Sequence, residues 1–154
     1  MIELRTLGTF DVRSGEGRDI HSLATQPKRL ALFAYLALAG SNRFHRRDTV
    51  VSVFWPQLDQ PHARGALRQS LRFLRRALGD APIVARGEEE IGIDPTAVWV
   101  DAQQFEQACH AGRTEEALVH FQHAAAFVPD EPSYQLSLGT IHRRLGGAAR
   151  PHPR

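Results

Sequence analysis

Apolar and polar residues alternate at the start of the chain, with Ile2 and Leu4 set against Glu3 and Arg5, then Phe10 and Val12 against Asp11 and Arg13. A period of two predicts short antiparallel strands, and Gly8-Thr9 and Ser14-Gly15-Glu16-Gly17 mark turns. A third strand is expected near 18–21. The period then lengthens. Leu30, Phe33, Ala34, Ala37 and Leu38 recur at helical spacing. Thr25 as cap, Pro27 in the first turn and Gly40 beyond the end predict a helix over 27–39. Over 46–55 two signals compete. Val50, Val51 and Val53 favour a strand by propensity, whereas Asp48 in a first turn and the spacing of Val50, Val51 and Phe54 fit a short helix stopped by Pro56.

Residues 60–78 carry the cleanest helical period. Asp59 caps the helix, Pro61 lies near its start and Gly79 follows its end. Plotted at about 100° per residue, Ala63, Leu67, Leu71, Leu74 and Leu78 form one stripe with Ser70 at its edge. That stripe must face a core. Beyond it, 82–86 and 91–93 flank Gly87-Glu88-Glu89-Glu90, the pattern of a hairpin with a polar tip. Asp101 then caps a helix to about 111, Gly112 interrupts, and Thr114 caps another to about 128. Pro129 and Pro132 mark a loop, 134–145 reads as a last helix and 146–154 as a frayed tail.

Charge changes the picture more than composition does. The 154 residues have a formal net charge of +2, a 42% apolar content and a 23% charged content, as an ordinary folded domain does. Yet residues 27–80 carry Lys28 and nine arginines against Asp48, Asp59 and Asp80, a block of +7. Residues 81–132 carry two arginines against ten acids, a block of −8. GC-rich coding explains arginine over lysine, but not this clustering. A basic block beside an acidic one suggests an anionic partner for the first and protein contacts for the second.

The basic block concentrates on the third helix. Arg64, Arg68, Arg72, Arg75 and Arg76 fall on an arc beside the apolar stripe, with Gln69 at its far side, and no acid lies between Asp59 and Asp80. Five guanidinium groups in little over three turns repel one another, where a helix built for stability would interleave glutamate. Phosphates or base edges would neutralise them, and arginine binds guanine O6 and N7 bidentately. The alternative is a solvated basic face. A helix, a second helix, an arginine-rich third and a hairpin come in the order of a winged helix, whose third helix enters the major groove.

Residues 1–106 resemble the SARP family of bacterial transcriptional activators, in which an OmpR-type winged helix precedes a bacterial transcriptional activation domain. The resemblance is carried by Ile2-Glu3-Leu4-Arg5-Thr6-Leu7-Gly8, Lys28-Arg29-Leu30-Ala31-Leu32 and Phe54-Trp55-Pro56. It continues through Ala63-Arg64-Gly65-Ala66-Leu67-Arg68-Gln69-Ser70-Leu71, Leu74-Arg75-Arg76-Ala77-Leu78, and Val98-Trp99-Val100-Asp101 with Phe105-Glu106. Gly65 stands where the family usually has asparagine, and Glu90-Ile91-Gly92-Ile93 where its wing has a Gly-Tyr-x-Leu pattern. Three glutamates at the hairpin tip would repel phosphate, which leaves Arg86 as the wing contact. The resemblance implies an operator of direct repeats bound by two copies, with RNA polymerase as partner.

In the last third, Ala117, Phe121, Ala124 and Pro129 fit the second helix and terminal proline of a tetratricopeptide repeat, whose period is about 34 residues. Leu138-Gly139, His142 and Gly146 fit the first helix of a second repeat. Any two antiparallel helices give similar spacing. Such an array is incomplete, so a truncated family member or a docking face that supports self-association is expected.

Other chemistry finds little support. Cys109 is the only cysteine, which rules out a disulfide scaffold, and it reads as a small core residue. His120 and His123 share a helix face with no carboxylate to complete a metal site, and no nucleotide or hydrolase motif is present. Trp55 and Trp99 read as core anchors. No apolar run reaches about 18 residues, and the start of the chain does not read as a signal peptide, so a cytoplasmic, nucleoid-associated protein is expected.

The expected fold is therefore α+β: a winged helix with an N-terminal antiparallel sheet over 1–97, a partial TPR-like helical segment over 98–145, and a tail. The expected function is sequence-specific duplex-DNA binding to activate transcription, without catalysis, metal or cofactor. Arg46, Arg47, Arg64, Arg68, Gln69, Arg72, Arg75, Arg76 and Arg86 are the candidate DNA contacts. Of these, Arg64, Arg68 and Arg72 are assigned to bases and Arg46, Arg47 and Arg76 to phosphate. The rival reading is a protein-binding adaptor that acts through its helical segment while the basic helix only keeps the chain in solution.

Overall fold

The alternation at the start of the chain is realised as two strands, β1 (Ile2–Arg5) and β2 (Asp11–Ser14), in which Ile2, Leu4 and Val12 are buried. There follow α1 (His21–Ala24), α2 (Pro27–Ala37), β3 (Phe44–Arg46), α3 (Arg47–Phe54) and α4 (Gln60–Leu78). The remaining elements are β4 (Ile83–Arg86), β5 (Glu90–Ile93), β6 (Val98–Val100), α5 (Asp101–His110) and α6 (Thr114–Ala125). The computed structural model describes residues 1–8, 10–16, 20–38 and 44–126. Among them the architecture is mixed α and β: six helices and two three-stranded sheets, of strand order β2-β1-β6 and β3-β5-β4. The chain divides into one unit of Met1–Leu4 with Asp11–Val100, and another of Arg5–Phe10 with Asp101–Arg154.

In the first unit β1 pairs in parallel with β6, Ile2 opposite Val98 and Leu4 opposite Val100, so the two ends of the unit lie side by side. In the second sheet β5 is central and antiparallel to both neighbours. The three-residue strand β3 has no alternation long enough to be read from sequence. The hairpin β4–β5 falls where its polar tip indicated, with Gly87 at φ +63° in the turn.

The helices show which side-chain signals were decisive. Of the strand expected near 18–21, residues 18 and 19 lie outside the described residues, and His21 opens α1 instead, burying Leu23 in a single turn. Thr25 does not cap α2: Gln26 holds that position, and the Thr25 hydroxyl donates to the Ser22 carbonyl, closing α1. Pro27 brings no N–H to satisfy, which lowers the need for a cap. The buried face of α2 is Leu32, Phe33, Ala34, Leu36 and Ala37, while Leu38 is exposed. Across 46–55 the helix prevails over β propensity, because Val50 and Val51 are then both buried.

The helix α4 follows its sequence signals closely. The Asp59 carboxylate accepts from the His62 N–H, and Gly79 ends the helix at φ +88°. The buried positions are Ala63, Leu67, Ser70, Leu71, Leu74 and Leu78. A fully buried leucine contributes about 1.5–3 kcal/mol, so this stripe anchors the helix firmly and fixes which face is turned outward.

In the second unit α5 and α6 form a helix pair joined by a turn with Gly112 at φ +68°. Ala108, Ala117, Leu118 and Ala124 are buried, and the Phe105 and Phe121 rings lie 6.4 Å apart between centroids. Thr114 does not cap α6: Arg113 holds the capping position, and the Thr114 hydroxyl donates to the Gly112 carbonyl. Cys109 is exposed rather than a core residue. The loop at 129–132, the last helix at 134–145 and the tail at 146–154 lie outside the described residues. No helix of the described residues is long and apolar enough to cross a membrane.

Candidate functional site

Because the leucine stripe of α4 is buried, the arginine arc beside it faces solvent. Arg64, Arg68, Gln69, Arg72 and Arg76 are exposed, and Arg75 is half-buried. Arg68, Arg72, Arg75 and Arg76 line one open groove on α4, with Asp80 at its end. Four guanidinium groups round one groove, against a single carboxylate, make a surface for anions.

The first arginine of the arc is not free. Arg64 Nη2 lies 2.6 Å from Asp48 Oδ1, in the first turn of α3. The sequence shows no acid within α4, but the packing of α3 on α4 supplies one from 16 residues away. This hydrogen bond, with the charge of Asp48 behind it, holds the Arg64 guanidinium more firmly protonated than usual.

Arg47 sits where α3, α4 and the hairpin meet. Its N–H donates to the Glu89 carbonyl at 2.8 Å, tying the hairpin tip to the start of α3. Its side chain is half-buried, and Nε has no hydrogen-bond partner among the described residues. Burial, followed by the charge of Arg75, makes its cationic form less favourable than usual, the Glu89 charge opposing and Arg64 and Arg68 adding to the effect. A desolvated guanidinium among like charges is short of a counter-anion.

The hairpin cations are also engaged. In the β3–β5–β4 register Glu90 lies opposite both Arg46 and Arg86. Arg86 Nε is paired with the Glu90 carboxylate, and its guanidinium lies 4.5 Å over the Phe44 ring. The bond from Arg86 lowers the Glu90 pKa, and the Arg46 charge lowers it further. With Glu88 and Glu89 exposed at its tip as well, the hairpin carries more acid than base, and Arg46 remains exposed at its edge.

Packing adds two cations that the candidate set lacks. Lys28 Nζ lies 5.1 Å from the Trp55 ring centre, and the Arg29 guanidinium 4.3 Å from that of Phe73. Trp55 is buried and Trp99 half-buried. Among the described residues no three His, Cys, Asp or Glu side chains gather as they would around a metal ion. No protein-family model and no curated protein matches the chain.

Proposed function

We propose that the chain is a winged-helix protein that binds duplex DNA sequence-specifically, with α4 laid in the major groove. The order α2, β3, α3, α4 and the hairpin β4–β5 supports this reading, since it is the order of elements in that fold. The observation that carries it is the solvent-facing Arg68, Gln69, Arg72 and Arg76, held outward by a continuous buried stripe on the same helix. Arginine in such a position can grip guanine edges or phosphates, and glutamine can pair with adenine. The motif resemblance supports the finer reading of a SARP-type transcriptional activator in the bacterial cytoplasm. It would bind direct repeats as two copies and contact RNA polymerase, without catalysis.

The test is a titration of duplex DNA over a range of salt. If about five phosphates are neutralised, log K falls with log salt at a slope near roughly −4 to −5. A slope near zero, or no preference for duplex over an uncharged surface, would replace this reading with the adaptor.

A further inference from the structure

The arc on α4 reads in sequence as five equivalent arginines, but the fold makes them unequal. Arg64 is ion-paired to a neighbouring helix, with Asp48 of α3 at 2.6 Å, whereas Arg68, Arg72, Arg75 and Arg76 line the groove together. The two partners are each nearly half exposed, at 47% for Arg64 and 41% for Asp48, so the pair sits on the presented surface and not beneath it. Glu89 at the hairpin tip adds a second negative charge felt by both Arg64 and Arg47. For Arg64 to grip DNA it must leave Asp48, and Asp48 would then stand uncompensated beside phosphate. Both effects oppose contact at this end of the helix.

Resting on the duplex-DNA reading above, we propose that Asp48 is a counter-anion that withholds Arg64 from DNA and moves the contact surface toward the groove of Arg68, Arg72, Arg75 and Arg76. Glu89 reinforces it from the hairpin. The affinity of the chain is thereby set below what its arginine count allows, and the N-terminal end of α4 is left nearly silent toward anions.

The test is a double-mutant cycle on the full chain with Asp48→Asn and Arg64→Ala, read on a mixed-sequence duplex and on immobilised heparin. Asp48→Asn keeps the side-chain shape, and a thermal melt of each variant checks that it is folded. Arg64→Ala alone, which uncovers the Asp48 carboxylate without removing a DNA contact, is expected to lower duplex affinity by only about two- to threefold. Asp48→Asn is expected to raise it roughly three- to tenfold, steepen the salt slope by about 0.9 and delay elution from heparin. In the Asp48→Asn background, Arg64→Ala should then remove the whole gain. Glu89→Gln, which removes the second negative charge felt by Arg64, should give a smaller gain of the same sign.

If Arg64→Ala costs as much in the wild type as in the Asp48→Asn background, or Asp48→Asn changes neither probe, the proposal is overturned while wild-type duplex binding keeps the DNA reading. If no variant binds duplex but Asp48→Asn still delays heparin elution through Arg64, the counter-anion role stands and the DNA reading fails. If neither probe responds, both fall.

Discussion

Asp101 accepts hydrogen bonds from Thr6 across 95 residues of sequence: the Thr6 N–H reaches both carboxylate oxygens at 2.9 and 3.0 Å, and its hydroxyl reaches Oδ1 at 3.1 Å. The Leu7 N–H adds a bond at 3.0 Å, and the Ala102 N–H one at 2.7 Å. Asp101 is 5% exposed, and its carboxylate fastens residues 6–7 to the start of α5 within the second unit.

Removing that carboxylate leaves three backbone donors, the Thr6, Leu7 and Ala102 N–H groups, without this acceptor. Asp101→Ala is expected to destabilise the chain by about 2–3 kcal/mol, as loss of buried hydrogen bonds to a charged acceptor does. Asp101→Asn should cost less, since one amide oxygen can still accept. Urea denaturation of both variants checks the order. Equal midpoints for Asp101→Ala and wild type would show that the segment is held by other contacts.

Two glycines of α4 should respond in opposite directions. Gly79 ends the helix at φ +88° and ψ 173°, a region that residues with a Cβ avoid, so Gly79→Ala should cost about 1–3 kcal/mol. Gly65 lies inside the helix, and an added Cβ meets nothing within 4 Å. Gly65→Ala should therefore stabilise by roughly 0.5–1 kcal/mol. Thermal melts of the two variants should bracket the wild type.

A pH effect follows from His45, whose ring lies tilted at 38° against Tyr35 at 4.8 Å between ring centres and has a buried Nε2 with no hydrogen-bond partner among the described residues. Burial lowers its pKa below 6.5. The unfolded chain then binds a proton at higher pH than the folded one does. Stability is full above pH about 6.5 and falls as pH drops below it, levelling once the folded imidazole also protonates. His45→Gln should weaken this dependence. Denaturation midpoints at pH values of about 7.5 and 5.5, either side of the ordinary histidine pKa, measure it. An unchanged difference between the two would remove His45 as the cause.

What the sequence reveals and what it hides divide along physical lines. Residues 60–78 are legible because six buried positions recur at helical spacing between Asp59 and Gly79, so period, cap and stop agree. The hairpin is legible from its polar tip. The strand β3 is not, since Phe44, His45 and Arg46 are too short a run to show a period. Nor is the parallel pairing of Ile2 with Val98, which depends on packing between distant segments. The candidate surface follows the same rule. Its arc can be drawn from spacing alone, but Asp48 against Arg64, and Glu90 between Arg46 and Arg86, come from elements brought together only by folding.

The surface arginines should separate into two classes on DNA. Arg68 and Arg72 stand one turn apart on the exposed side of α4, in a groove whose acid, Asp80, lies beyond the far end of the helix, and in the proposed duplex complex they are the pair assigned to the major groove. Arg75 is half-buried and lies close enough to Arg47 for their charges to interact, and Arg76 follows it in the last turn, where a phosphate can be shared. With a preferred sequence first selected from a random duplex pool, Arg68→Ala or Arg72→Ala should cost about 1–3 kcal/mol on that sequence and relax preference at one position. Arg75→Ala or Arg76→Ala should instead weaken preferred and random duplex alike and reduce the salt slope by about 1. Binding of all four variants to both duplexes at two salt concentrations decides the matter. If every variant scales the two duplexes equally, α4 holds the backbone only, and any sequence preference must arise from the deformability of the DNA.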